Sequence, residues 1–212
     1  MILFHGSTSI IEQPIYRGGK PDNDYGYGFY CTRELDIAKE GANRNSNSGI
    51  VNKYSIDLRY LKILDLTKES FLVWISTLLK YRSLSATEKT RHVRELEYLK
   101  QFAVDVEEYD VVIAYRADDA YFRFPMMFLN SDLTIETTEK IYMLGDLGIQ
   151  YVLISEKAIS KIKYISSEDV ESIYHDKYLE RMDKARSRFE ELYLQEHYNT
   201  GKRLIDLVRD DD

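Results

Sequence analysis

One cysteine, Cys31, stands among 212 residues, so no internal disulfide framework can form and the fold must rest on its core. A chain of this length buries enough surface to do that, and the lone thiol suits a reducing compartment. No apolar run is long enough to span a bilayer: the longest, Phe71 to Leu79, is broken by Ser76 and Thr77. Met1 to His5 is too short for the apolar region of a secretory signal, and no basic segment precedes it. These absences point to a cytoplasmic protein with no membrane partner, unless a specialised system exports it. Metal chemistry lacks a constellation as well: His92, His175 and His197 are scattered over presumed helices, and Cys31 has no second thiol nearby. No phosphate-binding loop, Rossmann glycine fingerprint or nucleophile elbow occurs. Positive charge is the scarcer sign, 29 Lys and Arg against 36 Asp and Glu, and the net charge of −7 argues against a broad nucleic-acid-binding face.

Tyrosine, by contrast, is abundant at 18 residues, which suits half-buried surfaces and interfaces. Ile2 to Phe4 reads as a buried strand running into His5-Gly6-Ser7, and residues 17–24 are loop chemistry throughout. Strands are expected at Gly28 to Thr32, Val51 to Leu58, Asp110 to Tyr115, Gln150 to Ser155 and Ile162 to Ile165, with Tyr60 to Leu66 continuing the sheet. Helices are expected over Glu34 to Asn43, from a cap at Thr67 through Leu79, and from the capping box Ser85-Ala-Thr-Glu88 through Phe102. Asp118 or Asp119 should cap a helix through Phe128, and another should cover Thr134 to Leu144.

From Ser167 the pattern changes to one long helix in which Tyr178, Met182, Ala185, Phe189 and Leu192 step by 4, 3, 4 and 3, a heptad-like seam. A last short helix follows at Lys202 to Arg209. Residues 166–212 hold thirteen acidic against eight basic side chains, so this segment reads as an acidic helical tail that either packs back on the core or covers its seam with a partner. The division is a domain over 1–165 and a tail over 166–212.

Three segments carry chemistry. His5-Gly6-Ser7 at a strand end offers an imidazole, an approachable backbone and a hydroxyl, a combination suited to a ribose hydroxyl beside a planar amide. Tyr25-Gly-Tyr-Gly-Phe-Tyr30 alternates glycine, which lets a ligand approach the backbone, with rings that can stack on a flat heterocycle. Gln150 opens a late strand. Read singly, each has a plain structural alternative: a capped turn, or a tight turn with core aromatics.

In this order, Phe4-His-Gly-Ser7, Asp24-Tyr-Gly-Tyr-Gly-Phe-Tyr-Cys-Thr32, Asp110-Val-Val-Ile113 with Ala117-Asp-Asp119, and Gly148-Ile-Gln-Tyr-Val-Leu-Ile-Ser-Glu-Lys157 resemble the ADP-ribosyltransferase superfamily. The likeness is to its diphtheria-toxin/poly(ADP-ribose) polymerase branch, and within it to an uncharacterised bacterial toxin-like family often encoded beside a small partner. It covers about residues 2–165. The resemblance implies an α+β fold in which two small antiparallel sheets form a split core, with helices around it and a C-terminal helical extension. It implies a mono-ADP-ribosyltransferase that cleaves NAD, transfers ADP-ribose to an acceptor macromolecule and releases nicotinamide. A small antitoxin-like protein would be a partner.

On that resemblance His5 holds a ribose hydroxyl, Gly6 and Ser7 meet the carboxamide, Tyr30 stacks on nicotinamide and Gln150 takes the third motif position. Arg17, Tyr25 and Gly28 are further expected cofactor contacts, with a solvated loop charge as the alternative for Arg17, and Asn23 and Asp24 lie in the loop where a phosphate would be met. Many members carry Glu where this chain has Gln150, and glutamine keeps hydrogen-bonding capacity without the negative charge. Chain elongation is therefore not expected, and Asp118 or Asp119 is the expected compensating acid. An inactive NAD- or partner-binding module and an NAD glycohydrolase are the alternatives.

Overall fold

A computed structural model describes residues 1–45, 48–117, 123–143, 148–195 and 201–211. Seven strands form one mixed sheet: β1 (Ile2–Ser7), β2 (Phe29–Thr32), β3 (Ile50–Ile56), β4 (Ile63–Asp65), β5 (Val111–Tyr115), β6 (Ile149–Leu153) and β7 (Ile162–Asp169), in the order β4-β5-β6-β2-β1-β3-β7. Only β4 and β5 run parallel. The expected pair of small sheets is thus one sheet, because β1 and β2 join the two halves. They do so through a single residue pair, Phe4 with Thr32. The flanking ladders are longer: β1 pairs β3 from Ile2 to Ser7, and β2 pairs β6 along all four residues.

Strand identity follows from residue type. Val111 to Ala114 is apolar on both faces, as an interior strand should be, and Val111, Val112 and Ala114 are fully buried between β4 and β6. β3 buries Asn52, Tyr54 and Ile56 on one face and Val51 on the other, where it packs with Ala38 and Ala42. Among the described residues nine α-helices surround the sheet: α1 (Leu35–Ala42), α2 (Phe71–Tyr81), α3 (Ala86–Arg91), α4 (Val93–Lys100), α5 (Arg123–Leu129), α6 (Ile135–Met143), α7 (Glu156–Lys161), α8 (Ile173–Gln195) and α9 (Leu204–Asp211). None of them is long and apolar enough to cross a membrane.

α2 buries Phe71, Trp74, Ile75 and Leu78, the i, i+3, i+4, i+7 stripe of an amphipathic helix. Its cap is Ser70, whose hydroxyl accepts from the Val73 N–H; Thr67 instead donates to Asp65 in the preceding turn. The Ser85–Glu88 capping box forms as expected. The helix it starts nevertheless breaks at His92 into α3 and α4. α3 buries no side chain, so no packing holds it in line with its successor.

The tail is part of this body. β7 runs through residue 165 to Asp169, which pairs with Ile50, so a boundary at 165/166 would cut a strand. Met182, Ala185 and Phe189 on α8 and Leu204 and Val208 on α9 are buried in the same apolar cluster as α2 and β5. Phe189 stacks on Phe124 with ring centroids 4.3 Å apart. Leu192, the last residue of the seam, is described by its backbone alone. Polar contacts add to the apolar ones: Arg181 pairs with Glu40 of α1 at 2.8 Å, and the His175 ring donates to the Asn43 carbonyl at 2.9 Å. Burial pushes the Glu40 pKa above its ordinary value, and the arginines beside it only partly offset this. Replacing Phe189 with Ala is expected to destabilise the whole fold by about 3 kcal/mol, the cost of emptying a buried aromatic site. A denaturation midpoint that does not move would show that the seam is not core.

Candidate active site

Beyond the Phe4–Thr32 pair the two central strands part, and a cavity of about 630 Å³ opens at the divergence. That volume lies within the range of small-molecule sites. His5 bridges the gap: its Nδ1 bonds the Tyr30 carbonyl at 2.7 Å, where a ladder bond would otherwise be. A carbonyl can only accept, so Nδ1 carries the proton and Nε2 of the neutral ring is left as an acceptor. The ring packs on Phe29 at 4.5 Å. Burial lowers its pKa from the ordinary 6.5, against the opposing effect of the Tyr30 bond, so the neutral form is favoured at pH 7.

Strand register places the other principal groups on the opposite sheet face. Thr32 lies across from Gln150 and Tyr30 across from Val152, so Tyr30, Thr32 and Gln150 share a face. The Tyr30 hydroxyl donates to the Gly26 carbonyl at 2.8 Å and accepts from the Tyr25 N–H at 3.0 Å, which fixes the ring against the turn before it. Burial raises the Tyr30 pKa well above the usual phenol range, so its proton stays on.

Two glycines shape the walls by lacking a side chain. A Cβ on Gly6 would fall 2.1 Å from the Ala38 carbonyl oxygen, so only glycine lets α1 lie directly on β1. A Cβ on Gly28 would fall 2.4 Å from Val152 Cγ1. Both residues line the cavity, as do Arg44 and Arg116, which bring positive charge to it.

The densest polar cluster centres on Asp24. Its Oδ2 accepts from the Gln150 amide nitrogen and from the Ala117 N–H, each at 3.0 Å. Its Oδ1 lies 3.4 Å from Arg82 Nε, and Arg82 also donates to the Ala117 carbonyl at 3.1 Å. Gln150 donates a second bond to the Tyr115 carbonyl at 3.2 Å. The cluster ties the loop before β2, the end of α2, the end of β5 and the start of β6 to one point.

His5, Gly6, Gly28, Tyr30 and Gln150 are therefore brought together on one cavity. Ser7, Arg17 and Tyr25 are not among its lining residues. Ser7 bonds Asn52 and the Ser9 carbonyl. Arg17 pairs with Glu107 at 2.9 Å and lies over the Tyr27 ring. Tyr25 is fully buried, its hydroxyl taking a bond from Trp74 Nε1 at 2.8 Å and donating to the Tyr115 carbonyl. Asp118 and Asp119 lie outside the described residues. The acid beside Gln150 is Asp24, which the sequence places in a phosphate-facing loop. Arg82, at the end of an apolar helix, carries no local signal at all.

Residues 1–164 match the family described as a protein of unknown function, DUF3990. The chain belongs to this family. The match spans every cavity-lining residue and stops within β7, before the tail helices. No curated protein and no solved structure matches.

His5 generates a pH prediction. Its pKa is depressed on folding, so the unfolded chain binds more protons just below the ordinary value. Stability is complete above about pH 6.5 and falls as pH drops below it. Denaturation midpoints measured from pH 8 to about pH 5 should show this decline, and His5→Asn should remove that component. An identical pH dependence in the two proteins would refute the buried neutral ring.

Proposed function

We propose that this chain is a mono-ADP-ribosyltransferase of bacterial toxin type, with an ADP-ribosyltransferase-like fold and NAD as its donor substrate. The observation that carries the reading is the convergence of His5, Tyr30 and Gln150, from three distant segments, on the cavity at the parted strands. Each supplies what a dinucleotide with a planar amide and ribose hydroxyls requires. The neutral His5 Nε2 accepts from a ribose hydroxyl, the Tyr30 ring offers a stacking face, and the side-chain-free Gly6 admits the carboxamide to the backbone. Arg44 and Arg116 suit the pyrophosphate charge.

In the reaction the bond between the nicotinamide ring nitrogen and ribose C1′ breaks. Its electron pair goes to the ring nitrogen, cancelling the pyridinium charge, and nicotinamide leaves. The oxocarbenium-like C1′ is taken by a nucleophilic atom of the acceptor macromolecule, which loses its proton as the new bond forms. Water in that place gives hydrolysis instead.

Purified protein incubated with labelled NAD and cell lysate should release nicotinamide and transfer label. His5→Ala and Tyr30→Ala should each abolish both while the proteins remain folded, because each removes a group that meets the reacting half of NAD. Retained labelling in both variants would sink the assignment. Release without transferred label would make the enzyme a glycohydrolase, and NAD binding without release an inactive module.

Gln150→Glu tests the third position separately. The new carboxylate would face Asp24 and the Tyr115 carbonyl, so its pKa should rise and the folded state should lose stability as pH rises through it. A variant as stable as the parent across the neutral range would show that residue 150 does not face Asp24.

A further inference from the structure

We propose that Asp24 is a positioning residue that fixes the Gln150 amide so that its oxygen, not its nitrogen, is presented to a ligand hydroxyl in the cavity. The juxtaposition decides the orientation. The two bonds of the Gln150 amide nitrogen run to a carboxylate oxygen at 3.0 Å and a backbone carbonyl at 3.2 Å. Both partners only accept, so the nitrogen must face them and both its hydrogens are used. Oε1 is then the atom available to a ligand, as an acceptor of definite direction. Tyr115 alone would hold the amide by one bond to a neutral group. The carboxylate makes the stronger, charge-assisted one.

Asp24 is itself held on its other side. Arg82 lies against Oδ1, and the Ala117 N–H shares Oδ2, so the carboxylate cannot turn away from Gln150 without losing both. The side chain is mostly out of solvent, 12% exposed, where such bonds are least diluted by water. Both residues line the cavity, so the pair presents the Gln150 oxygen with a carboxylate charge beside it. That a sugar hydroxyl is what Oε1 receives rests on the reading of the previous section; the orientation of the amide does not.

Asp24→Asn is the informative change. The introduced amide has one oxygen to place. Set toward Gln150, it leaves its nitrogen against the Arg82 guanidinium; set toward Arg82, it leaves its nitrogen against the Gln150 nitrogen and the Ala117 N–H. Either way the charge-assisted bond to Gln150 is gone, and the glutamine is free to flip and show the cavity a donor. In spectra of protein labelled with nitrogen-15 at glutamine, the Gln150 side-chain pair is identified by its loss in Gln150→Glu. Its hydrogens should exchange with solvent at least about tenfold faster in Asp24→Asn, as expected for a lost bond to a charged partner. Nicotinamide release should fall by at least about tenfold, chiefly in turnover.

Unchanged amide exchange in Asp24→Asn overturns the proposal. So does an Asp24→Asn enzyme within about threefold of the parent. If the parent protein neither binds nor cleaves NAD, the functional reading fails, and the amide spectrum alone decides the positioning role. Circular dichroism and melting of each variant separate these outcomes from misfolding.

Discussion

The parting of β1 from β2 after one residue pair is the constraint on which this structure depends. A central strand normally spends its backbone groups on both neighbours, and a buried carbonyl left unpaired costs about 1–3 kcal/mol. At Tyr30 that cost is met by the His5 side chain instead of by β1. One bond therefore does three things. It satisfies the sheet across a gap, fixes which imidazole nitrogen carries the proton, and leaves the gap open as a cavity. Gly6 follows from the same geometry, because β1 leans on the α1 backbone where a Cβ has no room.

The far wall of the cavity is set by residues remote from it in sequence. Gly41 and Arg44 line it, and α1, which ends between them, is gripped by α8 through Glu40–Arg181 and His175–Asn43. Asn43 is fully buried and also binds the Gly49 N–H and the Glu171 carbonyl, closing the loop after α1 onto the segment that enters α8. The acidic tail is thus structural for the site. Tyr178, Met182, Ala185 and Phe189 of its apolar seam pack on Phe124 and neighbouring core residues, so at these positions the heptad spacing reflects a helix laid on a globular body.

Much of this is legible in the residues, and the limits have physical causes. Periodicity locates the strands and most helices, since each buries a face whose spacing is local. The capping box at Ser85 is readable because both of its bonds lie within four residues. The family resemblance carried by His5, Tyr30 and Gln150 in that order implies one shared cavity, and all three line one. Alternating glycine and aromatic residues cannot say which ring turns inward, and Tyr25 proves to be core, tied to Trp74, while Tyr30 borders the cavity. Arg17 reads from its loop as a solvated charge or a cofactor contact, and its partner Glu107, ninety residues away in sequence, has no local signal. The Asp24–Arg82–Ala117–Gln150 cluster lies beyond any local pattern, because its members belong to four segments that meet only in the folded chain.

That cluster also explains why glutamine is chemically consistent at position 150. A glutamate there would set a second carboxylate about 3 Å from the first, and also against the Tyr115 carbonyl; two such groups cannot both remain ionised. With Asp24 in place, an amide is the side chain that offers an oxygen forward and donors behind. The residue at 150 and the residue at 24 therefore specify one another: a site with glutamate at the first position has no use for a carboxylate at the second. Negative charge is not missing from this cavity. It sits on Asp24, a lining residue beside Gln150 that Arg82 and Ala117 contact.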